Sequence, residues 1–279
     1  MILGKESQTR WRQERKDNYI IDTIETPKGL LRQVHKDDPV GQTTWRIESF
    51  FKENDDCQKF LSVPYVPIEP NLTEFRRWEK RVGEKGLVVA VQPDVVAYLA
   101  EWFSLKDYCI NALKHFHVLQ QLAEAIAPRL EDHASRLARA GVEVVRTGGP
   151  EYAGPRLLHP SYFDRLVVLH DKALYKVLHD YGSLVFLHMH GPVSRFLEKI
   201  ADMGADILDP LEAPPGGDVD LADAKQRIGD RVCLVGNLEE LGFLNSATED
   251  DIRKASLKCL EAASAGGGYI LGTTCSLIY

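Results

Sequence analysis

His188-Met189-His190 carries the clearest chemical signal in the chain, at the end of the apolar run Ser183-Leu-Val-Phe-Leu187 and just before Gly191-Pro192. In a strand, residues two apart project from one face, about 6–7 Å apart along the chain. Two imidazoles so placed can converge on one metal ion at about 2 Å from each. Histidines bonded to backbone carbonyls at a strand end would leave the same trace, and spacing alone keeps both readings open. Cys275, in Gly272-Thr-Thr-Cys-Ser276, follows another apolar run. A thiolate there would complete a His/His/Cys set and leave a fourth position for water or substrate. A buried or tail cysteine is the plain alternative.

Five further positions could serve the same site. Glu212 lies on the loop Asp209-Pro-Leu-Glu-Ala-Pro-Pro-Gly-Gly217 and could be a ligand, a general acid or base, or a loop charge. Asn237 follows Gly236; the glycine permits close backbone approach and the amide both donates and accepts. Turn chemistry accounts for Asn237 equally well. Arg146 could clamp an anionic substrate, with Glu151 and Tyr152 beside it next to Gly148-Gly149-Pro150.

The elements that must position these residues repeat with a regular rhythm. Short apolar runs at 87–91, 141–146, 183–190, 205–209, 231–236 and 268–272 alternate with helical patterns, including 106–140, 161–181, 193–203, 221–228 and 248–265. Strands alternating with helices predict βαβ units and a parallel sheet. A doubly wound sheet would fit the same alternation, but neither GxGxxG nor GxxxxGK[ST] is present. Polar residues cluster instead at the C-terminal ends of several strands: Arg146, His188, His190, Asp209 with Glu212, Asn237 and Cys275. Catalytic groups occupy that end in a TIM-type (β/α)8 barrel, the fold expected here. The expected organisation is one barrel domain over 1–279, with an irregular region at 1–80 and βα repeats at 87–279. The irregular region holds a β-hairpin around Pro27-Lys28-Gly29. Six strands fall short of eight, so the barrel is expected either to be incomplete at the N-terminus and to lack its last helix, or to be completed by another subunit.

Composition narrows the class. At 279 residues, 44% hydrophobic and 27% charged, the chain can bury a large core. A net charge of −7 argues against a nucleic-acid-binding protein, and the basic stretch Arg10–Lys16 reads as a solvated face. Five cysteines without a CxxC pair point to a reducing compartment. With no apolar run approaching 18 residues and no apolar leader, a cytoplasmic chain that does not span a membrane is expected.

In order and spacing, Leu187-His-Met-His-Gly191, Met203-Gly-Ala-Asp-Ile-Leu208, Val235-Gly-Asn-Leu-Glu239, Thr248-Glu249 and Gly266-Gly-Gly-Tyr-Ile-Leu-Gly272 resemble the uroporphyrinogen decarboxylase superfamily. That superfamily also contains cobalamin-dependent methyltransferases. Thr26-Pro-Lys-Gly-Leu30 and His159-Pro-Ser-Tyr-Phe163 share in the likeness, which is good from about 140 to 279 and thin before. The resemblance implies a (β/α)8 barrel with its site at the C-terminal mouth. In the methyltransferase branch, an HxC on one strand and a later Cys bind zinc. By position, His188 matches the His, His190 replaces the first Cys, and Cys275 matches the later one. The replacement lowers the negative charge of the site. The resemblance thus implies a zinc-dependent methyltransferase moving a methyl group to or from a corrinoid on a partner protein. Glu212 would be a fourth ligand or acid/base group, and Asn237 would position the substrate. A small methyl donor or acceptor would be the other partner, and a homodimer is allowed. Two alternatives stand beside it: a tetrapyrrole decarboxylase, and a non-catalytic truncated barrel acting as a binding subunit. The decarboxylase branch carries an Arg-Gln-Ala-Gly-Arg-Tyr segment, whereas Arg12-Gln-Glu-Arg15 lacks its glycine.

Overall fold

A computed structural model describes residues 4–5, 10–41 and 43–274, so Cys275 lies outside the described residues. The chain forms two compact units, one from residues 1–71 and 95–136, the other from 72–94 and 137–279.

The first unit contains an antiparallel sheet in the order β1 (Trp11–Lys16), β2 (Tyr19–Thr26), β3 (Gly29–Asp38) and β4 (Thr43–Glu48). The expected hairpin is its centre. Thr26 pairs with Gly29, and the Thr26 hydroxyl donates to the Gly29 carbonyl at 2.6 Å. Gly29 has φ 130°, which explains the glycine after Pro27-Lys28. Alternation along the strands buries Ile24, Leu31 and Val34. The buried Asp22 carboxylate accepts from Trp11 Nε1 at 2.9 Å, Gln13 Nε2 at 2.8 Å and Gln33 Nε2 at 3.1 Å. Region 1–80, expected to be irregular around one hairpin, is therefore largely sheet up to residue 48. α1 (Asn54–Leu61), α3 (Val95–Trp102), α4 (Leu105–Lys114) and most of α5 (Phe116–Arg139) complete the unit. Phe60 packs edge-on to Trp102 at 4.3 Å between ring centres, with Phe51 and Phe103 beside them. Each such buried ring contributes about 1.5–3 kcal/mol.

The second unit begins with α2 (Thr73–Val82) and is built on six parallel strands. These are β5 (Ala90–Val91), β6 (Val144–Gly148), β7 (Leu184–His188), β8 (Ile207–Asp209), β9 (Cys233–Leu238) and β10 (Tyr269–Thr273). They lie side by side in sequence order from β5 to β10. A doubly wound sheet would reverse its strand order at a switch point; this sheet does not, and it is of the barrel type. The helices α6 (Leu169–Asp180), α7 (Leu197–Met203), α8 (Leu221–Ile228) and α9 (Glu249–Ala263) follow β6, β7, β8 and β9 in turn. Val145, Val185, Leu187, Leu208 and Leu234 are fully buried, as parallel strands between two covered faces require.

Candidate active site

Register brings the polar residues together. In the ladder β6–β7–β8, Gly148 pairs with His188 and His188 with Asp209. Gly148 leaves room for the imidazole: a Cβ there would meet His188 Cβ at 3.4 Å. His188 Nδ1 lies 3.1 Å from Asp209 Oδ2, and Arg146 Nη2 reaches the same oxygen at 3.3 Å. Arg146 starts two residues below Gly148, and its guanidinium passes 5.7 Å over the Phe186 ring on the way up.

β7 itself stops at His188, so His190 lies just past the strand rather than within it. The extended path nonetheless continues, because the Met189 N–H donates to the Asp209 carbonyl at 2.8 Å. The two imidazoles meet edge to face, 4.4 Å between ring centres. Glu212, from the loop after β8, holds the second ring: its Oε1 is 3.2 Å from His190 Nδ1, and its Oε2 accepts from the Gly191 N–H. Gly217 makes that loop geometry possible. A Cβ there would lie 2.7 Å from the Gly191 carbonyl oxygen and closer still to that of Glu212.

The electrostatics follow from these contacts. The hydrogen bond to Glu212 outweighs burial and lifts the His190 imidazole above its ordinary pKa. Burial alone would raise Glu212, but the bonds from His190 and Gly191 bring its carboxyl below the usual range. Burial pushes Glu151 the other way, upward, with the neighbouring imidazoles offsetting only part. Glu151 Oε2, His188 Nδ1 and Asp209 Oδ1 are buried atoms without a hydrogen-bond partner. Buried polar groups are ordinarily paired, and such exceptions mark places where a ligand or ion completes the set.

Of the residues singled out by sequence, His188, His190, Glu212 and Arg146 are thus brought together, with Asp209 as the link. Glu151 and Tyr152 line a 220 Å³ cavity whose far wall includes His190 and Pro192. Asn237 is placed differently: its amide donates to the Leu211 carbonyl and so anchors the loop that carries Glu212. It also lines a larger cleft of 530 Å³ with Leu221, Phe243 and Cys259, and neither histidine borders that cleft. Arg156 and Gly217 were not visible as functional positions, because an exposed arginine and a loop glycine carry no spacing signal. Asp209 showed only as a polar residue at a strand end.

The donor chemistry fits zinc. A carboxylate lies near Nδ1 of each imidazole, hydrogen-bonded to it at His190 and at 3.1 Å without a hydrogen bond at His188; a carboxylate at Nδ1 is the arrangement that fixes a metal-binding histidine and leaves Nε2 to coordinate. Among the described residues no three His, Cys, Asp or Glu side chains group closely enough to hold a metal. Among those residues, too, no helix is long and apolar enough to cross a membrane.

A family model for uroporphyrinogen decarboxylase (URO-D) matches residues 97–279. The methylcobamide:CoM methyltransferase MtaA of Methanosarcina barkeri is 26% identical over 198 residues, covering 71% of this chain and 55% of that protein. A uroporphyrinogen decarboxylase of Nostoc punctiforme is 28% identical over 210 residues, covering 68% of this chain and 57% of that protein. The chain therefore spans little more than half the length of these relatives. Among solved structures, a methyltransferase from Methanosarcina mazei superposes with a TM-score of 0.65 at 20% identity, covering 87% of this chain and 69% of that one. That likeness is one of fold.

Proposed function

The chain belongs to the uroporphyrinogen decarboxylase family, and on that premise we propose that it is a zinc-dependent methyltransferase exchanging a methyl group with a corrinoid carried by a partner protein. The observation that carries this reading is the His188/His190 pair at the end of β7, with Glu212 hydrogen-bonded to His190 Nδ1 and Asp209 3.1 Å from His188 Nδ1. The methylcobamide-dependent relative supports it. His188, His190 and Cys275 would hold the zinc. When bound, the metal supplies Lewis-acid activation of a thiol or polarisation of an ether oxygen.

The chain's own residues do the rest. Asp209 lies 3.1 Å from His188 Nδ1 and is itself held by Arg146. Glu212 orients His190, serving as a hydrogen-bond partner, and is locked in place by the Gly191 N–H. Through Leu211, Asn237 fixes the loop from which Glu212 projects. Tyr152 and Glu151 form the wall against which the small methyl-bearing partner rests.

Decarboxylation of an acidic porphyrinogen would call for arginines open to several carboxylates. Arg146 is paired with Asp209, which among the described rim residues leaves Arg156, bonded through Nη2 to the neutral carbonyls of Pro215 and Gly216, as a guanidinium open to a carboxylate rather than a cluster of them. The methyltransferase reading is favoured accordingly. Its test is an absorbance assay with methylcobalamin, zinc and a small thiol. Thiol-dependent loss of the methylcobalamin band, absent in His188→Ala, is expected. A chain inert with methylcobalamin but active on a porphyrinogen overturns the reading, and a chain inert in both assays favours the binding-subunit alternative.

A further inference from the structure

β5 and β10 are the outer strands of the six-stranded sheet, and among the described residues neither pairs on its other side. Successive residues of a strand point to opposite faces. Ile270 and Leu271 are both exposed, so β10 is apolar and uncovered on either face. Edge strands are ordinarily shielded by a charge, a proline or a bulge. Tyr269-Ile-Leu-Gly-Thr273 has no charge and no proline, and it pairs with β9 in regular register. The opposite edge is alike, with Leu87 and Val91 exposed.

The helices beside these edges leave apolar side chains uncovered between charges. Ala255, Lys258, Cys259 and Ala262 of α9 line the cleft shared with Leu221 of α8. At about 3.6 residues per turn, Leu257 and Leu260 turn away from that face, and both are exposed. In α2, Arg76 donates to the Ala140 carbonyl ahead of β6, which puts Glu74, Trp78 and Arg81 on the side turned away from β6. Arg81 lies 4.9 Å over the exposed Trp78 ring. Because α2 leads into β5 and α9 into β10, both helices run in the same sense relative to the sheet. Near their ends, Arg81 on α2 stands level with Glu261 on α9. About two turns earlier, Glu74, which also pairs with Arg77 in its own helix, stands level with Arg253 and Lys254. The signs are opposite at both levels, with Trp78 and Leu257 between them.

We propose that the β10/α9 edge is an interface for a second copy of this chain, which seats its β5/α2 edge there and continues the sheet with a parallel strand. Trp78 of the incoming copy lies against Leu257 and Leu260, and its Arg81 meets Glu261. Joining β10 to β5 keeps every strand parallel, whereas pairing β10 with β10 about a twofold axis is antiparallel and leaves Glu261 without Arg81. The contact is heterologous, so two copies sharing it at both edges, or a longer row, satisfy it. It is independent of the chemistry proposed above.

Sedimentation equilibrium of the full chain at low salt, across micromolar concentrations, tests it. A dimer or higher oligomer is expected. Arg81→Glu and Glu261→Lys should each weaken association about tenfold or more, and the double variant, in which the signs are again opposite, should recover most of that loss. Leu257→Lys should weaken association as much. All three side chains are exposed, and circular dichroism of each variant checks that the fold is kept. A monomer at every concentration overturns the proposal. So do an oligomer indifferent to these substitutions and a double variant that associates no better than either single one.

Discussion

Two imidazoles 4.4 Å apart would repel each other if both were protonated, and the carboxylates beside them decide how each is used. Glu212 raises the His190 pKa. In metal-free protein, Glu212→Gln should therefore lower the His190 pKa, read from the imidazole resonances in an NMR titration. The sign for stability follows: the His190–Glu212 pair contributes fully below the unfolded histidine pKa and loses its contribution as pH rises through the raised folded value. An unchanged or higher His190 pKa in the variant would refute the pairing. Asp209 is expected to act on metal affinity through His188, so Asp209→Asn should weaken zinc binding by about 10–100-fold, measured by competition with a chelator. Gly217→Ala would press a methyl group into the Gly191 and Glu212 carbonyls and should destabilise the fold by about 1–3 kcal/mol in denaturant unfolding. At this scale the histidine pair was legible from its spacing and its Gly-Pro stop. The carboxylate partners were not, because they reach the rings through register and a loop closure that no local pattern encodes.

Among the elements, the parallel repeat was readable because its strands are continuous apolar runs separated by helical patterns. The antiparallel sheet was only half readable. β1 and β4, Trp-Arg-Gln-Glu-Arg-Lys and Thr-Thr-Trp-Arg-Ile-Glu, are almost wholly exposed, so the apolar alternation that marks a strand is missing from both. The stretch 106–140 divides into α4 and α5 at His115, a break with no glycine or proline to announce it. One element pairing has a thermodynamic consequence. Asp171 on α6 is fully buried and interacts with Asp94, itself fully buried after β5, where its N–H donates to the Gly148 carbonyl at 3.1 Å. Burial pushes the Asp171 carboxyl well above the ordinary range, and the neighbouring Asp94 carboxyl offsets only part of this. Because the folded state holds this proton more tightly than the unfolded one, stability falls as pH rises from the ordinary aspartate range toward the raised value. Asp171→Asn removes that dependence. The variant's melting temperature should gain on the wild type as pH rises from 5 to 8; a constant difference would contradict the protonated pair.

For the molecule as a whole, strand order does what motif searches could not. Six parallel strands in unbroken sequence order place the ends of β6, β7, β8 and β9 along one rim, and every described candidate residue lies on that rim or on a loop leaving it. Family membership follows from the match over residues 97–279, whereas chemistry depends on which donors the rim presents. At the end of β7 the rim presents two histidines, His190 hydrogen-bonded to Glu212 and His188 3.1 Å from Asp209. The most direct measurement is the zinc content of the chain purified without chelator, beside His188→Ala and Cys275→Ala. The account predicts about one zinc per chain in the wild type and its loss in both variants. A wild-type chain without zinc, or variants that keep it, would contradict the account.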